Sequence, residues 1–425
     1  MDLRDFLSLL DAKKQLLHVR RQVEVDLEIA SVVKLLKGRP VVFENVRGHS
    51  MPVVSNLCSN RELVCQALGT PREALIRRLA EAIDHPVEPS RADASGYREL
   101  PADLDRLPIL RYYPRDGGRY VASGVAVARD REYGLNVSFH RAMVLGPDRM
   151  ALRVVERHLH RFIQRGLKEF AYCIGNPTTV LIAGAISAEL GKSELAIANA
   201  LDRTDVVELA GHLVPQSELV LICELTGEQV DEGPFLDLTE TFDIVRRQPA
   251  VRVTRCFARA RPFFHALLPG DLEHKTLMGL PREPTIFREV SKVCECLDAY
   301  LSPGGCSWLH GVVRIRKRHE DDGEKAIAAA FRGHASMKHV FVVDEDIDVE
   351  DPAAIEWALA TRFQGDQDLV LRPREKGSSL DPSSDMATGM TAKVGFDLTA
   401  PLSSAGKDFH RPSLPMKIDL RDYLE

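Results

Sequence analysis

A chain of 425 residues with 44% hydrophobic content is long enough to bury more than one core, so two or three domains are expected. Its 56 basic and 62 acidic side chains leave a net charge of −6, mixed in sign along the chain, which gives no ground for a nucleic-acid or membrane-surface partner. No apolar run reaches the ~20 residues of a membrane helix, and the opening Met1-Asp-Leu-Arg-Asp5 lacks the basic and apolar regions of a signal peptide.

Apolar residues at helical spacing predict helices over 3–10, 62–68 and 72–83, and short apolar runs at 41–45 and 53–56 predict strands. This α/β region is bounded near residue 115, where Pro101, Pro108 and Pro114-Arg-Asp-Gly-Gly118 break the periodicity. From 116 to 285, β-branched and apolar residues predict strands over 121–129, 134–143, 150–155, 180–186, 219–225 and 250–257. One helix over 194–201 interrupts them, with Ser193 as its cap. A mostly β region with one inserted helix fits a closed or split barrel. From 286 onward the pattern is α/β, with helices over 289–300, 323–331 and 353–361 and strands over 308–316 and 340–343. The stretch from 375 to 425, rich in Ser, Gly, Asp and Pro, reads as loop until its last residues. Eight scattered cysteines in so long a chain imply reduced thiols and a cytoplasmic location, with Cys294 and Cys296 as ordinary helix residues.

The chemistry concentrates in Asn136-Val-Ser-Phe-His-Arg141, a turn at Gly146-Pro-Asp-Arg149, and Arg153-Val-Val-Glu-Arg-His158. On an unbroken strand Asn136, Ser138 and His140 share one face, and Val137, Phe139 and Arg141 the other. Further along stand Glu232-Gly-Pro-Phe235, Leu272-Glu-His-Lys275, Pro303-Gly-Gly-Cys306 and Ala392-Lys-Val-Gly-Phe-Asp397. Near the start are Asp2-Leu-Arg-Asp-Phe-Leu7, Val25-Asp-Leu-Glu-Ile29 and Val42-Phe-Glu-Asn45.

In this order the motifs resemble the UbiD family of prenylated-flavin-dependent decarboxylases, in its compact branch. The resemblance implies an N-terminal α/β domain (1–115), a central split β-barrel that binds flavin (116–285) and a C-terminal α/β oligomerisation domain (286–425). It implies reversible, non-oxidative decarboxylation of an α,β-unsaturated or (hetero)aromatic carboxylic acid, with CO2 as the other partner. The cofactor would be prenylated FMN, supplied by a flavin prenyltransferase, and the assembly a homo-oligomer, dimer or hexamer.

The resemblance also distributes roles. Arg141 faces the substrate carboxylate, for which a guanidinium fork is suited. Asn136 and His158 hold a divalent cation, Mn²⁺ or Mg²⁺, with K⁺ as a further candidate ion. Because metal and carboxylate roles fall on opposite strand faces, some local irregularity is required. Glu273 is the proton donor, since burial would raise its pKa while Arg141 would lower it; Glu283 or Asp271 is its partner acid. Ser138, Phe139, His140, Arg141, Arg153, Val154, Val155 and Lys393 contact the flavin, although Arg153 and Lys393 read equally well as solvated charges. Read from the residues alone, His274 and His310 are further imidazoles expected to face the substrate cleft; His310 could hydrogen-bond a distal polar group of the substrate and reads equally well as a core histidine. One position departs from the family: the third metal ligand, a glutamate, is replaced by Ile222. Glu224 is the nearest acid on the same face, about 7 Å further along the strand, and needs a bulge to reach inward. That displacement leaves a non-catalytic accessory subunit as an alternative. An FMN-dependent reductase on a split barrel is another, against which Arg141 and Glu273 argue.

Overall fold

The computed structural model describes residues 1–403 except 187 and 386, together with 408, 409, 418, 419 and 423. Its first helix, Leu3–Ala12, follows from local chemistry: Asp2 and Asp5 form a reciprocal capping box, and Leu3, Phe6, Leu7 and Leu10 make one buried stripe. Helices Glu28–Leu35, Arg61–Leu68 and Leu75–Asp84 follow, around a four-stranded sheet. Three of its strands are Leu17–Val19, Val41–Phe43 and Val53–Ser55; the fourth, Phe264–His265, comes from far along the chain. In the other direction, Tyr97–Leu100 leaves the N-terminal region to pair with Arg246–Arg259 of the next sheet.

That sheet is nine-stranded and antiparallel. Its path runs Tyr120–Val121, Ala142–Gly146, Arg149–Leu152, Arg246–Arg259, Leu219–Glu232, Glu169–Ile174, Val125–Asp130 and Gly134–Phe139. No ladder joins the last strand to the first, so among the described residues the barrel expected from sequence is not closed. The chain nonetheless steps from Gly134–Phe139 at one end of the path to Ala142–Gly146 near the other through only His140 and Arg141. This break is the irregularity that the motif demanded, because it frees Arg141 from strand alternation.

Of residues 180–186, expected as a strand, 180–185 belong to the helix Thr178–Ala185 and Ile186 is its C-cap. All eight of its residues are buried, and an element apolar on every face carries no period by which to tell helix from strand. Residues 289–300, expected as one helix, divide. Pro284 opens the helix Glu283–Ser291, where its missing N–H costs nothing, and the strand Glu295–Leu301 follows. Cys294 therefore lies in the turn and Cys296 on the strand, and all eight cysteines are free.

The last sheet has five strands in the order Glu295–Leu301, His310–Arg316, His339–Val343, Met390–Asp397 and Leu369–Lys376. Helices Asp322–Gly333 and Pro352–Arg362 accompany it. Two of these strands, Leu369–Lys376 at its end and Met390–Asp397, reach into the stretch from 375 that reads as loop. Much of that stretch beyond residue 403 lies outside the described residues. No helix among them is long and apolar enough to cross a membrane.

Candidate active site

Freed at the break, Arg141 turns into a cluster of acids with only 9% of its side chain exposed. Nε donates to Glu232 Oε1 at 2.9 Å, and Nη2 donates to Glu232 Oε2 and Asp243 Oδ2, both at 3.1 Å. Nη1 donates to Asp237 Oδ2 at 2.7 Å. The guanidinium also lies 4.4 Å over the Phe235 ring. Burial opposes its charge, but the hydrogen bonds and charge of Glu232, with those of Asp237 and Asp243, hold its pKa above the ordinary arginine value. Glu232 ends the long strand Leu219–Glu232, is fully buried, and takes a further hydrogen bond from Tyr120 at 3.1 Å. Asp243 is held ionised against burial by Arg246 and Arg141. The turn at Gly117 clasps this loop: a Cβ there would sit 2.2 Å from the Gly233 carbonyl, so no larger residue fits.

Arg141 and Asp237 open onto a cavity of about 140 Å³. Phe139, Phe235, Leu267, Leu277 and Met278 form its apolar walls, and His140, Arg153 and His274 add polar edges. Arg153 makes no ion pair among the described residues. Burial, then repulsion from Arg141 and Arg246, lowers its pKa, so the cavity presents a cation in want of an anion.

Beside the cavity, Asn136 and His158 do meet: Asn136 Nδ2 is 3.5 Å from His158 Nδ1. The third group is Glu194. Its carboxylate takes the Val137 N–H at 2.8 Å and stands 3.1 Å from Asn136 Nδ2. Burial pushes its pKa up to about 7, and no cation pairs with it among the described residues. His140, whose pKa burial pushes down to about 4, is neutral, and its Nδ1 can only donate to the Arg153 carbonyl 2.8 Å away. Nε2 must then accept the single hydroxyl proton of Ser138, 2.9 Å away. Ser138 is left to accept from Asn136, 3.1 Å away, which requires the amide NH₂ to face Ser138 and the amide oxygen to face Glu194 and His158. Once Glu194 has released its proton, two oxygens and an imidazole converge in a donor set that fits a divalent cation of the Mg²⁺ or Mn²⁺ type.

Several expected residues lie elsewhere. Glu273 is fully buried but turned away from the cavity, accepting from Asn56 N at 2.8 Å, Cys58 N at 3.0 Å and His265 Nε2 at 3.1 Å. Glu283 pairs with Arg61 at 2.5 Å and accepts the Leu301 N–H, and burial raises its pKa to about 7. Asp271 stands at the N-cap position of the following helix without a side-chain capping bond and pairs with Lys34 at 3.0 Å. None of these three acids lines the cavity. Glu224 is exposed and paired with Arg252 at 2.7 Å, while Ile222 is packed in the core. The bulge occurs between Ile222 and Cys223 but does not carry Glu224 inward. His310 lies 2.8 Å from His339 and is not a cavity wall; burial and His339 push its pKa down to about 4. Lys393 is buried on the last sheet with Nζ 2.5 Å from the Ala335 carbonyl, and burial lowers its pKa. Sequence reasoning missed Glu232, Asp237, Asp243 and Glu194. Glu232 had a signal, as the acid of Glu232-Gly-Pro-Phe235; Glu194 looked like an ordinary first-turn acid behind its Ser193 cap, which does form.

Comparison with known proteins places the chain in a family. The chain matches the 3-octaprenyl-4-hydroxybenzoate carboxy-lyase family in three parts: N-terminal domain over residues 7–83, Rift-related domain over 87–272 and C-terminal domain over 275–398. It is 41% identical to the anhydromevalonate phosphate decarboxylase of Methanothermobacter thermautotrophicus, over 97% of this chain and 99% of that one. It is 42% identical to the protein of the same name from Methanocaldococcus jannaschii, over 92% and 95%. Among solved structures, the UbiD-class enzyme HmfF from Pelotomaculum thermopropionicum, in complex with FMN, superposes with a TM-score of 0.94 at 35% identity, covering 99% of this chain and all of that one. The chain is a member of the UbiD carboxy-lyase family.

Proposed function

We propose that this protein is a prenylated-FMN-dependent decarboxylase whose substrate is anhydromevalonate phosphate, a phosphorylated α,β-unsaturated acid. The observation that carries the reading is the cluster of Arg141, Glu232 and Asp237 at the wall of a largely apolar cavity. The substrate is supported by full-length relatives at about 40% identity that bear this activity in their names.

Side chains alone offer no electron sink for the pair left behind when carbon dioxide departs, and a bound prenylated flavin would supply it. The residues do the rest. Arg141 orients the carboxylate, held in place by Glu232 and Asp243. The bond from the substrate carbon to the carboxylate breaks, CO2 leaves, and Asp237 delivers a proton to that carbon and is reprotonated from solvent. Asp237 takes this role in place of Glu273 because it touches Arg141 and faces the cavity. Ser138, Phe139, His140, Val154 and Val155 would border the flavin, Arg153 would meet its phosphate, and Asn136, His158 and Glu194 would hold the divalent cation. Glu194 thereby removes the feature that favoured a non-catalytic subunit. A flavin prenyltransferase would provide the cofactor.

The test is to co-express the chain with a flavin prenyltransferase and assay CO2 release from anhydromevalonate phosphate. Turnover is expected; a flavin-loaded protein that leaves this compound intact would refute the substrate.

A further inference from the structure

Arg141 has five N–H groups, and four of them are engaged by Glu232, Asp237 and Asp243. One N–H, on Nη1, remains. A carboxylate with two oxygens therefore cannot be gripped by Arg141 through the usual double hydrogen bond, and a second donor is needed at the cavity wall.

We propose that His274 is this second donor, so that the substrate carboxylate is held between Nη1 of Arg141 and Nε2 of His274. The inference rests on the assignment of Arg141 to the carboxylate made above. His274 lines the same cavity. Its Nδ1 accepts the backbone N–H of Gly270 at 3.0 Å, which assigns the ring proton to Nε2. Among the described residues the imidazole makes no other hydrogen bond, so this proton is available to the cavity. Burial, with Arg141 and Lys275, lowers the His274 pKa and outweighs the opposing pull of Asp237, which keeps the ring neutral.

The helix that carries it, Leu272–Gly279, is fixed from behind. Glu273, the next residue back, is tied to two backbone amides and His265 on the N-terminal sheet. Gly270, at φ +69°, packs so closely that a Cβ would meet Leu236 at 2.5 Å. A neutral donor also suits the chemistry. A second full cation would stabilise the charged carboxylate of the ground state more than the departing CO2, and so raise the barrier.

The test uses full-length protein loaded with FMN, on which binding is read without turnover. 3-Methylbut-2-enoate, which keeps the conjugated carboxylate and lacks a phosphate, is titrated calorimetrically beside its neutral amide. His274→Ala should weaken the acid about tenfold and leave the amide unchanged; His274→Gln, which returns an N–H near the Nε2 position, should recover most of the loss. In the prenylated-FMN enzyme His274→Ala should raise KM more than it lowers kcat. Equal weakening of acid and amide, no weakening of either, or no binding of the acid to wild type would overturn the proposal. So would a His274→Ala defect confined to phosphate-bearing ligands, since the imidazole would then read the phosphate. If the acid selectivity holds but anhydromevalonate phosphate is not turned over, the substrate reading fails and the role of His274 stands.

Discussion

At the residue scale, the acids of this protein are separated by what they face. Glu194 and Glu273 are both buried, yet Glu273 is held by two backbone amides and an imidazole, and Glu194 stands against neutral groups with its pKa raised to about 7. The sign of the pH effect follows. Between the ordinary carboxylate value of 4.5 and about 7, the unfolded chain has released the Glu194 proton while the folded chain still holds it. Stability is thus fully present below that window and falls as pH rises through it, by roughly 3 kcal/mol at most. Glu283 contributes a loss of the same sign over the same window. A divalent cation at Glu194 opposes only the first of these. Thermal unfolding of cofactor-free protein should therefore show a larger Mn²⁺-induced rise in Tm at pH 8 than at pH 5. Glu194→Gln should abolish the Mn²⁺ response and reduce, without removing, the fall of Tm with pH. An unchanged Mn²⁺ response in that variant would exclude Glu194 as a ligand.

At the element scale, the helix Leu272–Gly279 faces in two directions, Glu273 toward the N-terminal sheet and His274 toward the cavity. Replacing Glu273 by Ala leaves two buried N–H groups without partners. A loss of about 2–4 kcal/mol is expected, seen as a lower Tm and urea midpoint, with the flavin-free protein affected as much as the loaded one. A variant as stable as wild type would show that the clamp contributes nothing. This helix also marks where sequence reading stops. Leu272-Glu-His-Lys275 was visible as a motif, but which face each residue presents depends on the Phe264–His265 strand, a non-local pairing with Val53–Ser55. The helix Leu3–Ala12 and the cap at Ser193 were legible because their causes are local. Residues 178–185 were not, because burial on all sides erases periodicity. Asn136, Arg141 and His158 could be picked from one stretch, whereas Glu194, Glu232 and Asp237 reach them only through strand order.

At the scale of the whole molecule, the first two of the three large sheets are interlocked by exchanged strands, Phe264–His265 into the first and Tyr97–Leu100 into the second. The third ends in the strand Leu369–Lys376, whose Leu369 and Leu371 are 41% and 57% exposed. Among the described residues no further strand pairs with this edge, and its two exposed leucines make it a candidate site for self-association. Light scattering at micromolar concentration should report a homo-oligomer, and Leu371→Glu should shift it toward monomer; a wild-type monomer would contradict this.

If carbon dioxide leaves between Arg141 and Asp237 while Glu273 serves the fold, these two acids separate in one measurement. The most direct test is a head-to-head single-turnover assay of CO2 release from anhydromevalonate phosphate, using prenylated-FMN-loaded Asp237→Asn and Glu273→Gln with equal flavin content. Asp237→Asn should lose about a thousandfold or more in rate, while Glu273→Gln, once folded and loaded, should remain within about tenfold of wild type. The reverse order, an inactive Glu273→Gln and an active Asp237→Asn, would overturn these roles.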